Sequence, residues 1–307
     1  MSIHLQGSAY GQADNDSRMP MPAMTHPVAT ERSRAIARLA RPEPARHGDA
    51  FTALRLGSLA FGREGDPVLN LDHFRMGGPT FPPHAHAGFS AVTYMLPESA
   101  GAMRNRDSRG DISLIPPGGL HWTAAGSGIV HEEVPDRTGV TVEGFQIFIR
   151  QPVAQENAAP LVHHVEPADI PVVRLSPGSV LVLAGHYGGL SAALATPSPL
   201  TLLDVVLPAK ESFSWAPDPG IETCALYLFA GSLDVGGLVV AAPMLILFAR
   251  GEIGIAFAAR DRARVLLLAG AALDAPSVSN GPFVLSSQAA LSDAVHRYRS
   301  GAMGRLD

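Results

Sequence analysis

The sequence contains the stretch Gly78-Pro79-Thr80-Phe81-Pro82-Pro83-His84-Ala85-His86-Ala87-Gly88-Phe89 and, further along, Gly126-Ser127-Gly128-Ile129-Val130-His131-Glu132-Glu133-Val134-Pro135. Glycine and proline flank a short run in each stretch, which is typical of β-strands bounded by turns. Side chains alternate between the two faces of a strand, so His84 and His86 share one face, and so do His131 and Glu133. Together the two pairs offer four ligands for one metal ion.

Short β-rich runs separated by glycine and proline continue along the chain. The first series is 51–56, 68–74, 91–96, 112–115 and 142–149, and the second is 200–207, 225–231, 244–248 and 263–270. Two series of this kind predict an all-β fold with two barrels. Residues 1–32 lack hydrophobic periodicity and are predicted to be a flexible tail. We expect a first barrel over 33–165 and a second over 166–307.

The end of the chain has a different pattern. Residues 287–299 place apolar side chains on one face at helical spacing, which predicts an amphipathic helix. Ser286 or Ser287 can cap its start, and Gly301 can end it.

Composition excludes several classes of protein. The 307 residues carry a formal net charge of −5, which gives no electrostatic footprint for direct nucleic-acid binding. The apolar run at 238–248 is too short for the roughly 20 residues that cross a bilayer, so no membrane association is expected. The single cysteine, Cys224, cannot form an intramolecular disulfide and fits a reducing cytoplasm. It is predicted to be a small buried hydrophobe.

The order of motifs resembles the pirin family of the cupin superfamily. The resemblance is carried by Asp72-His73-Phe74, by the two stretches quoted above, by Pro117-Gly118-Gly119-Leu120-His121-Trp122 and by Gly281-Pro282-Phe283-Val284. It implies a bicupin made of two double-stranded β-helix (jelly-roll) barrels. The first would hold one metal ion, commonly iron, through His84, His86, His131 and Glu133. The second would have lost its ligands, and the absence of histidine between His186 and His296 agrees with this.

The chain also departs from the family pattern. Ala87 and Ser90 stand where the family usually has Arg and Glu, which removes two charges beside the site. His121 stands where the family usually has Gln, and its spacing also fits a general cupin motif in which this residue is a ligand. His121 could bind the ion, lie in the second shell or face the substrate; we favour a position near the site. Asp72 and His73 could form a polar pair near the barrel mouth, but we favour the interpretation of Asp72 as a turn-forming residue at a strand end.

The resemblance implies a metal-dependent dioxygenase similar to quercetin 2,3-dioxygenase. His131 and Glu133 are the expected catalytic residues, with Glu133 both a ligand and a base for a substrate hydroxyl. The expected cofactor is one divalent ion, Fe(II), with Ni, Cu, Mn and Zn as alternatives. The expected partners are dioxygen and an aromatic or enol small molecule such as a flavonol or catechol. An alternative is a non-catalytic metal or redox sensor that binds a protein partner, and a weaker one is a small-molecule isomerase or hydrolase.

Overall fold

The structure, a computed structural model, describes residues 33–306, so the predicted tail at 1–32 lies outside the described part of the chain. The regular elements of the first half are β-strands, apart from one helical turn, α1 (Ser58–Phe61), and a 3-10 turn (Val153–Gln155). Its strands are β1 (Ile36–Ala40), β2 (Glu43–His47), β3 (Phe51–Leu56), β4 (Val68–Met76), β5 (His84–His86), β6 (Phe89–Met95), β7 (Met103–Asp107), β8 (Ile112–Ile115), β9 (Leu120–Ala124), β10 (Ile129–Pro135), β11 (Val142–Arg150) and β12 (Leu161–Val165).

The second half repeats this organisation after a 3-10 turn at Pro167–Asp169. Its strands are β13 (Val172–Leu175), β14 (Gly178–Ala184), β15 (His186–Tyr187), β16 (Leu190–Ser191), β17 (Leu200–Leu207), β18 (Ser212–Trp215), β19 (Thr223–Ala230), β20 (Ser232–Val235), β21 (Leu238–Ala241), β22 (Met244–Phe248), β23 (Ile255–Ala259), β24 (Ala263–Gly270), β25 (Val278–Asn280) and β26 (Phe283–Leu285). The chain then forms α2 (Gln288–Arg299), where Ser287 caps the helix by accepting a hydrogen bond from the Ala290 amide at 3.2 Å.

Each half forms a barrel from one seven-stranded and one four-stranded sheet. In the first barrel the strand orders are β12-β9-β6-β11-β4-β3-β2 and β5-β10-β7-β8. In the second they are β1-β22-β19-β24-β17-β14-β13 and β18-β23-β20-β21. The predicted all-β fold with two barrels and a C-terminal helix is confirmed. No helix within residues 33–306 is long and apolar enough to cross a membrane.

The two ends of the described chain each join the opposite barrel. Strand β1 pairs with β22 in the seven-stranded sheet of the second barrel. The β25–β26 hairpin and α2 pack on the first barrel, where the Val284 amide donates to the Ala87 carbonyl at 3.1 Å. Local pattern cannot reveal such pairing, because it specifies a strand but not its neighbour. The division of the chain at residues 165 and 166 stays a prediction.

The two seven-stranded sheets share a hydrophobic core. Trp122, Phe145 and Tyr227 are buried there, with leucine and isoleucine side chains from both barrels. Fully burying a large apolar side chain stabilises a fold by about 1.5–3 kcal/mol, so this core holds the barrels together. On β11 the alternate residues Gln146 and Phe148 point the other way and line the interior of the first barrel.

The interior of the second barrel is filled with apolar side chains. Phe213, Leu226 and Phe257 are buried there, together with the free thiol of Cys224, whose predicted burial is thereby confirmed. Such a core offers no ligand set for an ion. Within residues 33–306, the one group of three or more potential metal ligands lies in the first barrel.

Candidate metal centre

The first barrel brings three histidines together. Strands β5 and β10 are antiparallel neighbours, with His84 opposite His131 and His86 opposite Ile129. The three imidazole rings are mutually close, with a centroid separation of 4.8 Å for each pair. One ring nitrogen from each lies within 4.8 Å of the other two, which is the spacing of ligands around a single ion.

A hydrogen bond to one ring and the burial of the other two favour metal binding through a ring nitrogen. His84 Nδ1 donates to the Pro82 carbonyl at 2.9 Å, so the lone pair of this ring is on Nε2. Burial, aided by the neighbouring His84, lowers the pKa of His86 to about 3. Burial also holds the pKa of His131 well below its usual value, with a smaller effect of His86.

The residues present fit a divalent ion. A histidine binds a metal ion only when its imidazole ring is neutral. The low pKa values of His86 and His131 keep both rings neutral at neutral pH. Nδ1 of His86 and Nδ1 of His131 are buried and have no hydrogen-bond partner within the described chain. Three imidazole nitrogens, one each from His84, His86 and His131, suit iron, nickel, copper or zinc rather than a hard ion such as calcium.

Glu133 lines the same cavity but stands outside the three-histidine group. It follows His131 by two residues on β10, so both side chains point into the barrel. Thr93 Oγ1 lies 2.8 and 2.7 Å from its two carboxylate oxygens and 3.1 Å from Gln146 Oε1. Burial raises the pKa of Glu133 to about 7, although the Thr93 hydrogen bond opposes the shift. Its carboxyl group can therefore exchange a proton near neutral pH.

His121 is also buried in the first barrel but does not join the three-histidine group. It is opposite Thr93 on β6 and opposite His164 on β12, so it shares the inner face that carries Thr93. It is only 1% exposed, and neither ring nitrogen has a hydrogen-bond partner within residues 33–306. Burial lowers its pKa to about 4. Its role near the ion stays a prediction.

The two departures from the family pattern are both buried. Ala87 is inaccessible to solvent and packs against Phe283 and Leu285 of the C-terminal hairpin. Ser90 is 1% exposed. A charged side chain at Ala87 would have to displace the hairpin, so its small size matches the packing of the chain's end on this barrel.

The histidines open onto a cavity of about 540 Å³. Its wall combines aromatic and aliphatic side chains with polar ones. The apolar lining residues are Phe51, Leu69, Phe74, Met76, Phe81, Met103, Phe148 and Val284, and the polar ones, besides the histidines and Glu133, are Arg55, Ser58, Asn70, Asp72, Gln146, Ser277 and Ser279. This size and composition are those of a small-molecule site.

Sequence reasoning missed several of these residues. The turn reading of Asp72 is wrong, because Asp72 lies within β4, is buried and receives a two-pronged hydrogen bond from Arg55. The signal was the alternation of Asn70, Asp72 and Phe74 on one strand face. Ser277 and Ser279 come from the distant C-terminal hairpin, and no local pattern indicated them.

Comparisons with known proteins agree with this architecture. The family model described as Pirin matches residues 47–149, and the model described as Pirin C-terminal cupin domain matches residues 202–304. The chain belongs to the pirin family. Both barrels of this pirin family member are therefore cupin domains, and the bicupin prediction is confirmed.

Individual relatives cover most of the chain. A Pseudomonas aeruginosa protein named "Putative quercetin 2,3-dioxygenase" is 36% identical over 78% of this chain and 87% of its own length. A pirin-like protein of Caulobacter vibrioides is 31% identical over 87% of this chain and 98% of its own. The crystal structure of a quercetin 2,3-dioxygenase from Acinetobacter baumannii superimposes with a TM-score of 0.81 at 23% identity, covering 90% of this chain and all of that one.

Proposed function

We propose that this pirin family member is a metal-dependent dioxygenase that acts on a flavonol, such as quercetin, or on a related enol or catechol. The observation that carries the proposal is the three-histidine cluster, which opens onto a cavity that is lined in part by phenylalanines and is large enough for a drug-sized molecule. The names of two relatives support the same reaction class.

His84, His86, His131 and Glu133 would hold the ion. We propose Fe(II), with nickel, copper, manganese and zinc as the alternatives that elemental analysis distinguishes. A bound redox-active ion would supply open coordination positions for a substrate oxygen and for dioxygen.

The chain itself would position the substrate and move a proton. Glu133 would accept the proton of the substrate hydroxyl on a carboxylate oxygen. Thr93 fixes that carboxylate through contacts of 2.8 and 2.7 Å. Phe74, Phe81 and Phe148 line the cavity and would exclude water around an aromatic ring.

The test combines metal analysis with oxygen uptake. The purified protein should contain one divalent ion per chain and should consume oxygen when a flavonol is added. His131→Ala should lose both the ion and turnover. His186→Ala is the matched control, because His186 is half-exposed on the second barrel, where it pairs with Asp218 at 3.0 Å.

Two results would contradict the proposal. Activity that survives complete metal removal would refute the mechanism. A full complement of metal with no turnover of any flavonol or catechol would favour the alternative, a metal or redox sensor for a protein partner. The cytoplasmic location stays a prediction from the single cysteine.

A further inference from the structure

The cavity has a second polar end, away from the histidines. Arg55 on β3 is the only lysine or arginine side chain that lines the cavity within the described chain. Its Nε lies 3.0 Å from Asp72 Oδ1, and its Nη2 lies 2.8 Å from Asp72 Oδ2. The two residues are directly opposite on neighbouring strands, so the pair is part of the sheet's inner face.

The exposure of the pair is unequal. The Asp72 side chain is 9% exposed, whereas that of Arg55 is 50% exposed. The buried carboxylate therefore anchors one edge of the guanidinium group and fixes its plane. Nη1 has no hydrogen-bond partner within residues 33–306, so one donor edge is free. A donor held in this way loses little conformational entropy when it binds a ligand.

A continuous row of side chains connects this pair to the candidate metal centre. Arg55 is opposite Asp72, Asp72 is opposite Gln146, and Gln146 is opposite Thr93, which contacts Glu133. Three inter-strand steps separate Arg55 from Thr93, which is about 14 Å along the sheet. A substrate must therefore have more than one ring to reach both the candidate metal centre and Arg55. Phe74 and Phe148 line the same cavity.

We propose that Arg55, anchored by Asp72, is a specificity-determining residue that binds a hydroxyl group of the substrate remote from the metal-binding oxygens. The inference rests on the proposed dioxygenase function and specifies its substrate as an elongated phenolic molecule. A phenolic hydroxyl can accept from Arg55 and donate to Asp72, which a hydrogen or methyl substituent cannot do. The charges of the pair cancel, so the site favours a hydroxyl over a carboxylate.

The test compares three flavonols that share the metal-binding oxygens: 3-hydroxyflavone, 3,7-dihydroxyflavone and 3,4′-dihydroxyflavone. The wild-type protein should prefer at least one dihydroxy compound in kcat/KM by about 10-fold, the effect of one charge-assisted hydrogen bond. Arg55→Met should remove that preference, because kcat/KM for the preferred dihydroxy compound should fall about 10-fold relative to that for 3-hydroxyflavone. Anaerobic titration of the metal-loaded protein should show the same ratios in binding.

Control variants separate recognition from folding. Arg55→Met leaves Asp72 buried without its partner, so the double variant Arg55→Met/Asp72→Asn provides a folded form that lacks both the donor and the charge. Arg75→Met is the matched control, since Arg75 also faces a carboxylate, Glu143, at 3.7 Å but does not line the cavity. It should keep the wild-type preference.

The outcomes distinguish the two proposals. If 3-hydroxyflavone is turned over and the preference persists in both Arg55 variants, the role of Arg55 is refuted and the dioxygenase proposal stands. An absence of preference in the wild-type protein refutes it in the same way. If the metal-loaded wild type neither binds nor turns over any of the three compounds, and turns over no catechol either, both proposals are overturned.

Discussion

Glu133→Gln should change how the stability of the metal-free protein depends on pH. Burial raises the pKa of Glu133 from 4.5 to about 7, so between these values the folded protein holds a proton that the unfolded chain has released. Stability then falls as pH rises, by up to about 1.4 kcal/mol per pH unit from this residue. Gln cannot ionise, so the stability of the Glu133→Gln variant does not fall with pH in this way. Its side-chain oxygen can still accept the hydrogen bond from Thr93.

The expected size follows from the width of the interval. Over pH 4.5 to 7 the free energy of unfolding of Glu133→Gln should rise relative to wild type by about 3 kcal/mol at most, since the carboxyl group opens onto the cavity. His86 and His131 have lowered pKa values and contribute the opposite slope. They do so in both proteins, so their effect cancels in the difference.

The assay is urea unfolding at several pH values after chelation of the metal. Glu132→Gln is the control, because Glu132 alternates away from the cavity and accepts a hydrogen bond from Arg106 Nε at 2.8 Å. The free energy of unfolding of Glu132→Gln should not rise relative to wild type over this pH range. A constant difference between Glu133→Gln and wild type from pH 4.5 to 8 would refute the reasoning.

Three further changes test other parts of the structure. Chelation should lower the Tm of wild type and leave that of His131→Ala unchanged, because an ion that binds only the folded state stabilises it. Gly88→Ala should lower Tm more than Gly110→Ala. Both glycines have positive φ (+81° and +93°), so the backbone strain is similar. A Cβ at Gly88 would overlap the Val284 carbonyl oxygen, whereas a Cβ at Gly110 would meet nothing within 4 Å. In urea, Tyr94→Phe should cost about 1–3 kcal/mol by removing a 2.7 Å hydrogen bond to the buried Asp204; the half-exposed Tyr298→Phe should cost little.

The strands could be predicted because their pattern is local. The runs at 112–115, 200–207, 244–248 and 263–270 have the bounds that the structure gives to β8, β17, β22 and β24. Alternation along each strand also specifies which side chains share a face, and this was enough to place His84 with His86 and His131 with Glu133. That His131 lies beside His84 and His86 was expected from the family resemblance, since periodicity carries no information on strand neighbours.

The rest of the site depends on long-range packing. Arg55 meets Asp72 only because β3 and β4 are neighbours in a particular register. Ser277 and Ser279 reach the cavity only because the C-terminal hairpin crosses to the first barrel, where Phe283 pairs with Ala87. Such contacts arise from the tertiary fold, and neither the spacing nor the type of these residues predicts them.

The second barrel contributes to the site although, in the part of the chain that the structure describes, it has no group of three or more potential metal ligands. It supplies the far side of the shared core, on which Trp122 and Phe145 of the first barrel are buried. Ser277 and Ser279, which follow its last strand, β24, in the chain, line the cavity. Strand β1 is part of its seven-stranded sheet. An isolated first barrel would therefore expose a large apolar face and lose part of its cavity. The second barrel can be retained without such a ligand group, because the candidate site is assembled from both halves of the chain.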